Sequence, residues 1–307
     1  MLLGSCFAMN MGASLLDAKF RCDVNPYGVL YNPESISTAL REMQGGKVYA
    51  EQDLFRFQGL WHSPMHHSMF SAEEAEDALR GINLRLTTAC VALHELDCLL
   101  ITFGTAWVYE SKETGRVVAN CHKLPENSFV RRRLSVQSIV EDYTSLLAGL
   151  FARNSRLEVI FTVSPIRHVR GGMHANQLSK ATLLLAIDAL QNAFPDQVFY
   201  FPAYELLLDE LRDYRFYAED MLYPSDVAVR YLWQRFSRTC FTPQALRIMQ
   251  ASEDIRKALS HEPFHPSSSE YKRFLEQIVL KIDRLTEKYP YLDFQKEREI
   301  CHTRLKA

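Results

Sequence analysis

Three continuous apolar runs constrain the fold of this chain more than any other feature of its sequence. They occupy residues 97–103, 157–163 and 198–201, and each stops at a Gly, Ser or Pro. Uninterrupted apolar runs of this length are typical of strands that are buried on both faces of a parallel sheet. Helix-length segments separate the runs, so the sequence predicts an α/β fold with right-handed crossovers.

The N-terminus carries a shorter apolar segment of the same kind. Met1–Leu3 leads into Gly4-Ser5, and apolar residues at helical spacing follow as far as Phe20. This pattern predicts a strand, a tight turn and a helix. Ser5 then lies near a helix N-terminus, where free N–H groups can bind an anion or an oxyanion. Ser5 is therefore a candidate nucleophile, although turn and cap serines share this signature.

Capping residues and apolar periodicity predict the helices in the rest of the chain. The predicted helix starts are Asn32-Pro33, a capping box of Ser71 and Glu74, Ser135, Asn176, Ala203, Pro224, Thr242-Pro243 and Tyr271. A hairpin is predicted within 107–120, and Arg131–Arg133 is predicted to lie in a solvated loop or at the approach to a helix. Residues 45–70 are predicted to be irregular. Their histidines are expected in an exposed loop, because no Cys or carboxylate stands at metal-ligand spacing.

The chain changes character after Cys240. A Pro/Ser-rich segment at 261–269 separates two charge-rich helical stretches. We predict an α/β domain at residues 1–240 and a helical extension at 241–307. The extension is a candidate surface for a homo-oligomer.

Composition excludes several classes of function. The net charge of −2 provides no basic field for nucleic acid. No apolar stretch approaches the roughly 20 residues of a membrane-spanning helix. The first residues lack the basic region and apolar core of a signal peptide, and the 7 cysteines contain no CxxC pair. We therefore expect reduced thiols, a cytoplasmic location and neither nucleic-acid nor membrane partners.

Several segments together resemble a known family. They are Gly4-Ser5-Cys6-Phe7-Ala8, Asn25–Pro33, Thr102–Trp107, Ala119–Lys123, Ser164–His168 and Arg212–Leu222. Through them the chain resembles the GSCFA family, which is similar to the SGNH (GDSL-like) hydrolases. The resemblance implies a three-layer α/β/α sandwich with a flavodoxin-like parallel sheet.

The resemblance also implies roles for particular residues. SGNH hydrolases use a Ser after the first strand as nucleophile, and its N–H, a Gly and an Asn bind the oxyanion. A late Asp-x-x-His supplies the base and its orienting carboxylate. Ser5 fits the nucleophile. The candidates for the oxyanion hole are Gly104, Thr105, Asn120, and either Gly28 or Gly12. Thr105 stands where the Asn is expected. Asn120 also suits a turn that closes the hairpin.

The late motif departs from this pattern. Asp220 is followed three residues later by Tyr223, where the relatives carry His. A phenol has a reference pKa near 10, so it stays protonated at neutral pH and is a poor general base. Another imidazole would then act as the base. His174 is the leading candidate, because the glycine pair before it can bring it over the sheet edge, and His168 and His122 also follow strands or the hairpin at that edge.

The sequence thus predicts a serine esterase or acyltransferase for a small O-acyl ester, including one carried by a carbohydrate. Ser5, Asp220 and His174 are its expected catalytic residues, and no metal or organic cofactor is implied. The alternative is a degenerate site that binds a ligand or glycan without turnover, because Tyr223 removes the expected base.

Overall fold

The computed structural model describes residues 1–261 and 263–306 of the chain. Its strands are β1 (Leu2–Gly4), β2 (Phe55–Phe57), β3 (Leu60–His62), β4 (Cys98–Phe103), β5 (Trp107–Ser111), β6 (Val117–Val118), β7 (Phe129–Arg133), β8 (Glu158–Val163) and β9 (Val198–Phe201). Its helices are α1 (Cys6–Asp17), α2 (Pro33–Gly45), α3 (Ala75–His94), α4 (Val136–Arg153), α5 (Gly172–Ala193), α6 (Ala203–Glu205), α7 (Asp226–Cys240), α8 (Pro243–Ser260), α9 (Ser269–Lys288) and α10 (Gln295–Lys306).

The chain divides into two compact units. The first comprises Met1–Gly12 and Asp23–Leu232, and the second comprises Ala13–Cys22 and Trp233–Ala307. The predicted α/β domain at 1–240 includes residues 13–22 and 233–240, which belong to the second unit.

A four-stranded parallel sheet is the frame of the first unit, in the order β1-β4-β8-β9. The register places Leu3 opposite Ile101, and Thr102 opposite Thr162. The predicted α/β class with parallel strands is therefore confirmed. Because the strands are parallel, the residues that follow them converge on one edge of the sheet.

A single apolar core joins alternate residues of β4 and β8 to helices α2 to α5. Asn32 caps α2 by accepting a hydrogen bond from the Ser35 N–H at 2.8 Å, as predicted. The predicted capping box at Ser71 is wrong, because α3 follows Glu74 without a side-chain cap. The Ser71 hydroxyl lies 2.7 Å from His62 Nδ1 instead.

A second, antiparallel sheet has the order β6-β5-β7. Its hairpin is confirmed, but the third strand contains the Arg131–Arg133 run, so the predicted solvated loop or helix approach is wrong. Arg132 explains part of this difference, because it pairs with Glu34 and Glu110 at 3.1 and 3.0 Å. Opposite charges from other elements thus hold the arginine-rich segment in a strand.

The region 45–70 is more ordered than predicted, since β2 and β3 form a hairpin within it. His62 and His66 are only 7% and 1% exposed. Their expected place in an exposed loop is therefore wrong. The His66 ring stacks on Tyr27 with centroids 4.5 Å apart, and the His62 ring lies 5.4 Å from that of Phe55, so these imidazoles act as packing groups.

The second unit has its own apolar core, formed by α8, α9 and α10. Within it, Lys19 pairs with Glu297 at 2.7 Å, and Phe20 stacks on Phe241 at 4.7 Å. Residues 261 and 263–268 form neither helix nor strand, and Glu262 of the predicted linker lies outside the described residues. No helix in the described part of the chain combines the length and apolarity needed to cross a membrane.

Candidate active site

Ser5 lies at the junction between β1 and α1. The preceding Gly4 has φ +145°, and a Cβ there would lie 2.3 Å from the Thr102 carbonyl oxygen, so this sharp turn requires glycine. Ser5 caps the helix: its Oγ accepts from the Phe7 N–H at 3.3 Å, and its carbonyl accepts from the Ala8 N–H at 2.8 Å. The side chain is completely buried. Ser5 thus fills the predicted position and serves as a cap there.

Gly104 brings Ser5 and His168 together at the end of β4. A Cβ on Gly104 would lie 3.5 Å from the Ser5 Cβ and 3.3 Å from His168 Nε2. It would also lie 2.9 Å from the Tyr31 carbonyl oxygen, which is too close for a real side chain. Gly104 is therefore required sterically, and it leaves a small space that the serine and the imidazole both border.

His168 has a neutral imidazole with one buried nitrogen that lacks a partner. Its Nε2 is buried and has no hydrogen-bond partner among the described residues. Its backbone N–H donates to Asn176 Oδ1 at 2.9 Å, and its ring packs edge-on against Tyr31. Burial, followed by the charge of Lys180, lowers the pKa of His168 to about 4. The imidazole is therefore neutral at neutral pH, and it is a weaker base than an ordinary histidine.

Lys180 is a fully buried amine next to His168 and is not among the residues predicted for the site. Its Nζ donates to the carbonyl oxygens of Gly104 and Ser164, each at 2.7 Å. Burial lowers the pKa of Lys180 to about 7. The sequence contains a sign of this burial. Lys180 lies on the same face of α5 as the buried Leu183, whereas a lysine is ordinarily expected on the solvent face of a helix.

The predicted oxyanion donors at Gly104 and Thr105 are already engaged. Both N–H groups donate to the Tyr31 carbonyl oxygen, at 2.8 and 2.9 Å. The Thr105 hydroxyl lies 3.0 Å from Ser179 Oγ and accepts from the Trp107 N–H at 3.1 Å. In this state, neither residue has a free backbone N–H for a ligand.

The two alternative early glycines have packing roles. Gly28 has φ +77°, and a Cβ there would lie 2.2 Å from the Cβ of His67. Its N–H donates to the Asn25 carbonyl oxygen. Gly12 lies within α1, where a Cβ would lie 2.6 Å from the Val24 side chain. Both positions keep the chain close to a neighbouring segment.

Asn25 is a polar residue near Ser5 that the sequence analysis did not assign a role. Its Oδ1 accepts from the Gly4 N–H at 2.8 Å. Its Nδ2 is buried without a partner among the described residues. Asn25 therefore supplies a free amide donor beside the turn that carries the serine.

Asn120 and His122 belong to a separate cluster. Asn120 Oδ1 accepts from the His122 N–H at 2.9 Å, which is the contact of a turn residue. The His122 ring nitrogens lie 2.8 Å from the Ser63 carbonyl oxygen and 3.1 Å from Ser68 Oγ. Burial lowers the pKa of His122. Its ring is thus held by structural partners, and no described contact joins it to Ser5.

The late motif forms an exposed turn. Asp220 Oδ1 accepts from the N–H groups of Leu222 and Tyr223, and these bonds lower the pKa of the carboxyl. Tyr223 is 41% exposed, and burial together with Cys6 raises its pKa. His174 is exposed in the first turn of α5. Within the described residues, no hydrogen bond joins Asp220 to an imidazole, and none joins His174 to Ser5.

Residues 1–261 and 263–306 contain no group of three or more His, Cys, Asp or Glu side chains arranged to hold a metal ion. In comparisons with known proteins, the family model described as the GSCFA family matches residues 1–236. A second model, the C-terminal domain of GSCFA domain proteins, matches residues 252–307. No curated protein and no solved structure matches the chain.

Proposed function

Because this chain belongs to the GSCFA family, we propose that it is an SGNH-like serine esterase or acyltransferase acting on a small O-acyl ester. One observation carries the proposal. Ser5 and the unpartnered Nε2 of His168 border the same small space over Gly104. No hydrogen bond joins Ser5 Oγ to His168 Nε2 in the described residues, so in the proposed reaction the Ser5 hydroxyl first turns towards this base, which it needs to act as a nucleophile.

The sheet supports the proposed SGNH-like architecture. Val24 forms a parallel bridge with Leu2, outside the named strands. If this bridge is counted as a reduced second strand, the sheet has the flavodoxin-like order 2-1-3-4-5. This order is the one expected of the proposed three-layer sandwich. Ligands of such folds bind outside the carboxyl ends of the strands, where Ser5 and Gly104 lie.

In the proposed reaction, Ser5 Oγ attacks the ester carbonyl carbon and its proton passes to His168 Nε2. The C–O bond to the alcohol then breaks, and the leaving oxygen takes that proton. Water, or a second alcohol in acyl transfer, attacks the acyl-Ser5 ester and gives a proton to His168. The acyl product leaves as Ser5 Oγ recovers the proton.

The developing oxyanion needs donors that are not already engaged. The Ser5 N–H at the start of α1 and Asn25 Nδ2 are the proposed donors. Loss of one such donor typically costs about 3 kcal/mol of transition-state stabilisation. The small space over Gly104 favours a short acyl group, and the resemblance to SGNH hydrolases is the basis for including acyl groups on carbohydrates.

Labelling by a fluorophosphonate and hydrolysis of an acetyl ester test the proposal. Both are expected in the wild type, lost in Ser5→Ala and reduced at least a hundredfold in His168→Gln. His94→Gln, an exposed change in α3, is the matched control and should retain both. Activity that survives His168→Gln but not His174→Gln would transfer the base role to His174. Absence of labelling in the wild type would reject the hydrolase.

A second candidate function is a binding site without turnover. The specific observation in its favour is that the Tyr31 carbonyl occupies the N–H groups of Gly104 and Thr105. Tyr223 at the expected position of the base also favours binding without turnover. This alternative predicts no ester turnover by the wild type, and gain of turnover, if any, in Tyr223→His. Wild-type turnover that Ser5→Ala abolishes would reject it.

A further inference from the structure

The guanidinium of Arg131 stacks on the indole of Trp107, with Cζ 4.0 Å from the ring centroid. Trp107 begins β5, and Arg131 lies in the neighbouring strand β7, opposite Tyr109. Stacking of this kind contributes about 0.5–2 kcal/mol. It holds the guanidinium by its face and leaves the N–H groups on its edge available.

Two donors of this pair have no acceptor. Arg131 Nε and Trp107 Nε1 are both buried without a hydrogen-bond partner in the described residues. No carboxylate in that part of the chain pairs with Arg131, because the nearby Glu34 and Glu110 pair with Arg132. A buried donor left without a partner costs about 1–3 kcal/mol. Two such donors at one place indicate an acceptor that the chain itself does not supply.

The pair lies near the proposed nucleophile. Trp107 follows Gly104 by three residues, and Gly171 follows His168 by three. A Cβ on Gly171 would lie 3.4 Å from Arg131 Nη1, so this glycine borders the guanidinium. Three residues span at most about 11 Å. The backbone of Trp107 therefore lies within about 11 Å of Gly104, which places the unpartnered donors in the neighbourhood of the proposed nucleophile.

We infer that Arg131 and Trp107 form a carboxylate-binding subsite. The edge of a guanidinium matches the planar carboxylate and donates two parallel hydrogen bonds to it, and Trp107 Nε1 adds a third donor. The inference rests on the proposed function and names its substrate class: an ester whose acyl or alcohol part carries a second, free carboxylate.

The test compares para-acetoxybenzoate with its methyl ester, which differ only in the free carboxylate. Binding is measured by calorimetry on Ser5→Ala protein, where turnover cannot interfere. We expect the acid to bind at least tenfold more tightly than the methyl ester. Adding Arg131→Gln should abolish this preference, and Arg131→Lys should reduce it, because an ammonium lacks the planar edge. Arg116→Gln, which removes an exposed charge from the β5-β6 hairpin, should preserve it.

The outcomes separate the subsite from the proposed chemistry. Equal binding of the two esters, no binding of either, or the same loss with Arg116→Gln overturns the subsite. Carboxylate-dependent binding without wild-type turnover supports the subsite and overturns the hydrolase. Equal turnover of both esters by the wild type supports the hydrolase and overturns the subsite. Thermal unfolding of each variant establishes that the loss belongs to a folded protein.

Discussion

The Lys180 ammonium lies 2.7 Å from the carbonyl oxygen of Gly104. It is equally close to the carbonyl oxygen of Ser164, so one cation ties the residues that follow β4 and β8. The same charge lowers the pKa of His168. Lys180 therefore links the shape of the sheet edge to the protonation of the proposed base.

Lys180→Met should raise the pKa of His168 above its value of about 4. The rise should stop short of the ordinary value, because burial is the larger cause and remains. Histidine NMR titration measures the shift, with His168→Gln to assign the signal. Lys112→Met, an exposed change in the turn after β5, is the charge-matched control. An unchanged His168 pKa would show that the Lys180 charge does not reach the imidazole.

Gly104→Ala should destabilise the protein by about 1–3 kcal/mol, because its Cβ would overlap the Tyr31 carbonyl oxygen. It should also abolish fluorophosphonate labelling by filling the space beside Ser5. Gly81→Ala is the matched control: it lies in α3, and a Cβ there meets no neighbour. That change should stabilise by about 0.5–1 kcal/mol. Denaturant unfolding measures the change in the free energy of unfolding for each variant. Equal changes in Gly104→Ala and Gly81→Ala would contradict the steric argument.

Stability should fall as the pH drops from about 6.5 towards 4. Burial lowers the pKa of His66 from 6.5 to about 3 and that of His168 to about 4. In this range, the unfolded chain binds protons that the folded chain does not, so acid favours unfolding. Each pKa unit corresponds to about 1.4 kcal/mol.

The change of the urea midpoint with pH measures this effect. His66→Asn should flatten the dependence, whatever its effect on stability at neutral pH. His94→Asn, an exposed change, should leave it as steep as in the wild type. A wild-type urea midpoint that stays constant from pH 7 to 4 would show that the folded chain does not keep these histidines neutral.

Arg167→Ala should loosen the turn at 217–223. The Arg167 Nη1 donates to the Met221 carbonyl oxygen at 3.0 Å, and the guanidinium lies 3.9 Å from the Tyr217 ring centroid. Loss of one such bond, about 1 kcal/mol, corresponds to roughly fivefold faster amide exchange through local opening. Hydrogen-exchange mass spectrometry measures it. Arg215→Ala, an exposed neighbour, should change nothing, and equal acceleration by both would reject the tether.

Much of the fold follows from local pattern. The apolar runs become β4, β8 and β9, and the caps at Asn32 and Ser135 start the predicted helices. The strand β7 could not be predicted in this way. Its arginines are held by Glu34, Glu110 and the Trp107 ring, which are distant in sequence. A charge run has no periodicity that reveals such partners.

The candidate site was only partly predictable. Ser5 and Gly104 follow from strand ends, because parallel strands present their carboxyl ends together. The choice of His168 over His174 depends on the path of the loop after β8, which places one imidazole inward and leaves the other exposed. Sequence spacing does not encode that path. The homo-oligomer and the domain boundary at residue 240 stay predictions.

The Tyr31 carbonyl oxygen accepts hydrogen bonds from the adjacent N–H groups of Gly104 and Thr105. A ligand oxygen that enters here must compete with this resident peptide oxygen. Each bond contributes about 0.5–1.5 kcal/mol, so the competition lowers apparent affinity on the order of tenfold to a hundredfold. Rotation of one peptide unit would release both donors at once. The loop thus satisfies its own two donors, and they become available to an anion only when this peptide unit turns away from them.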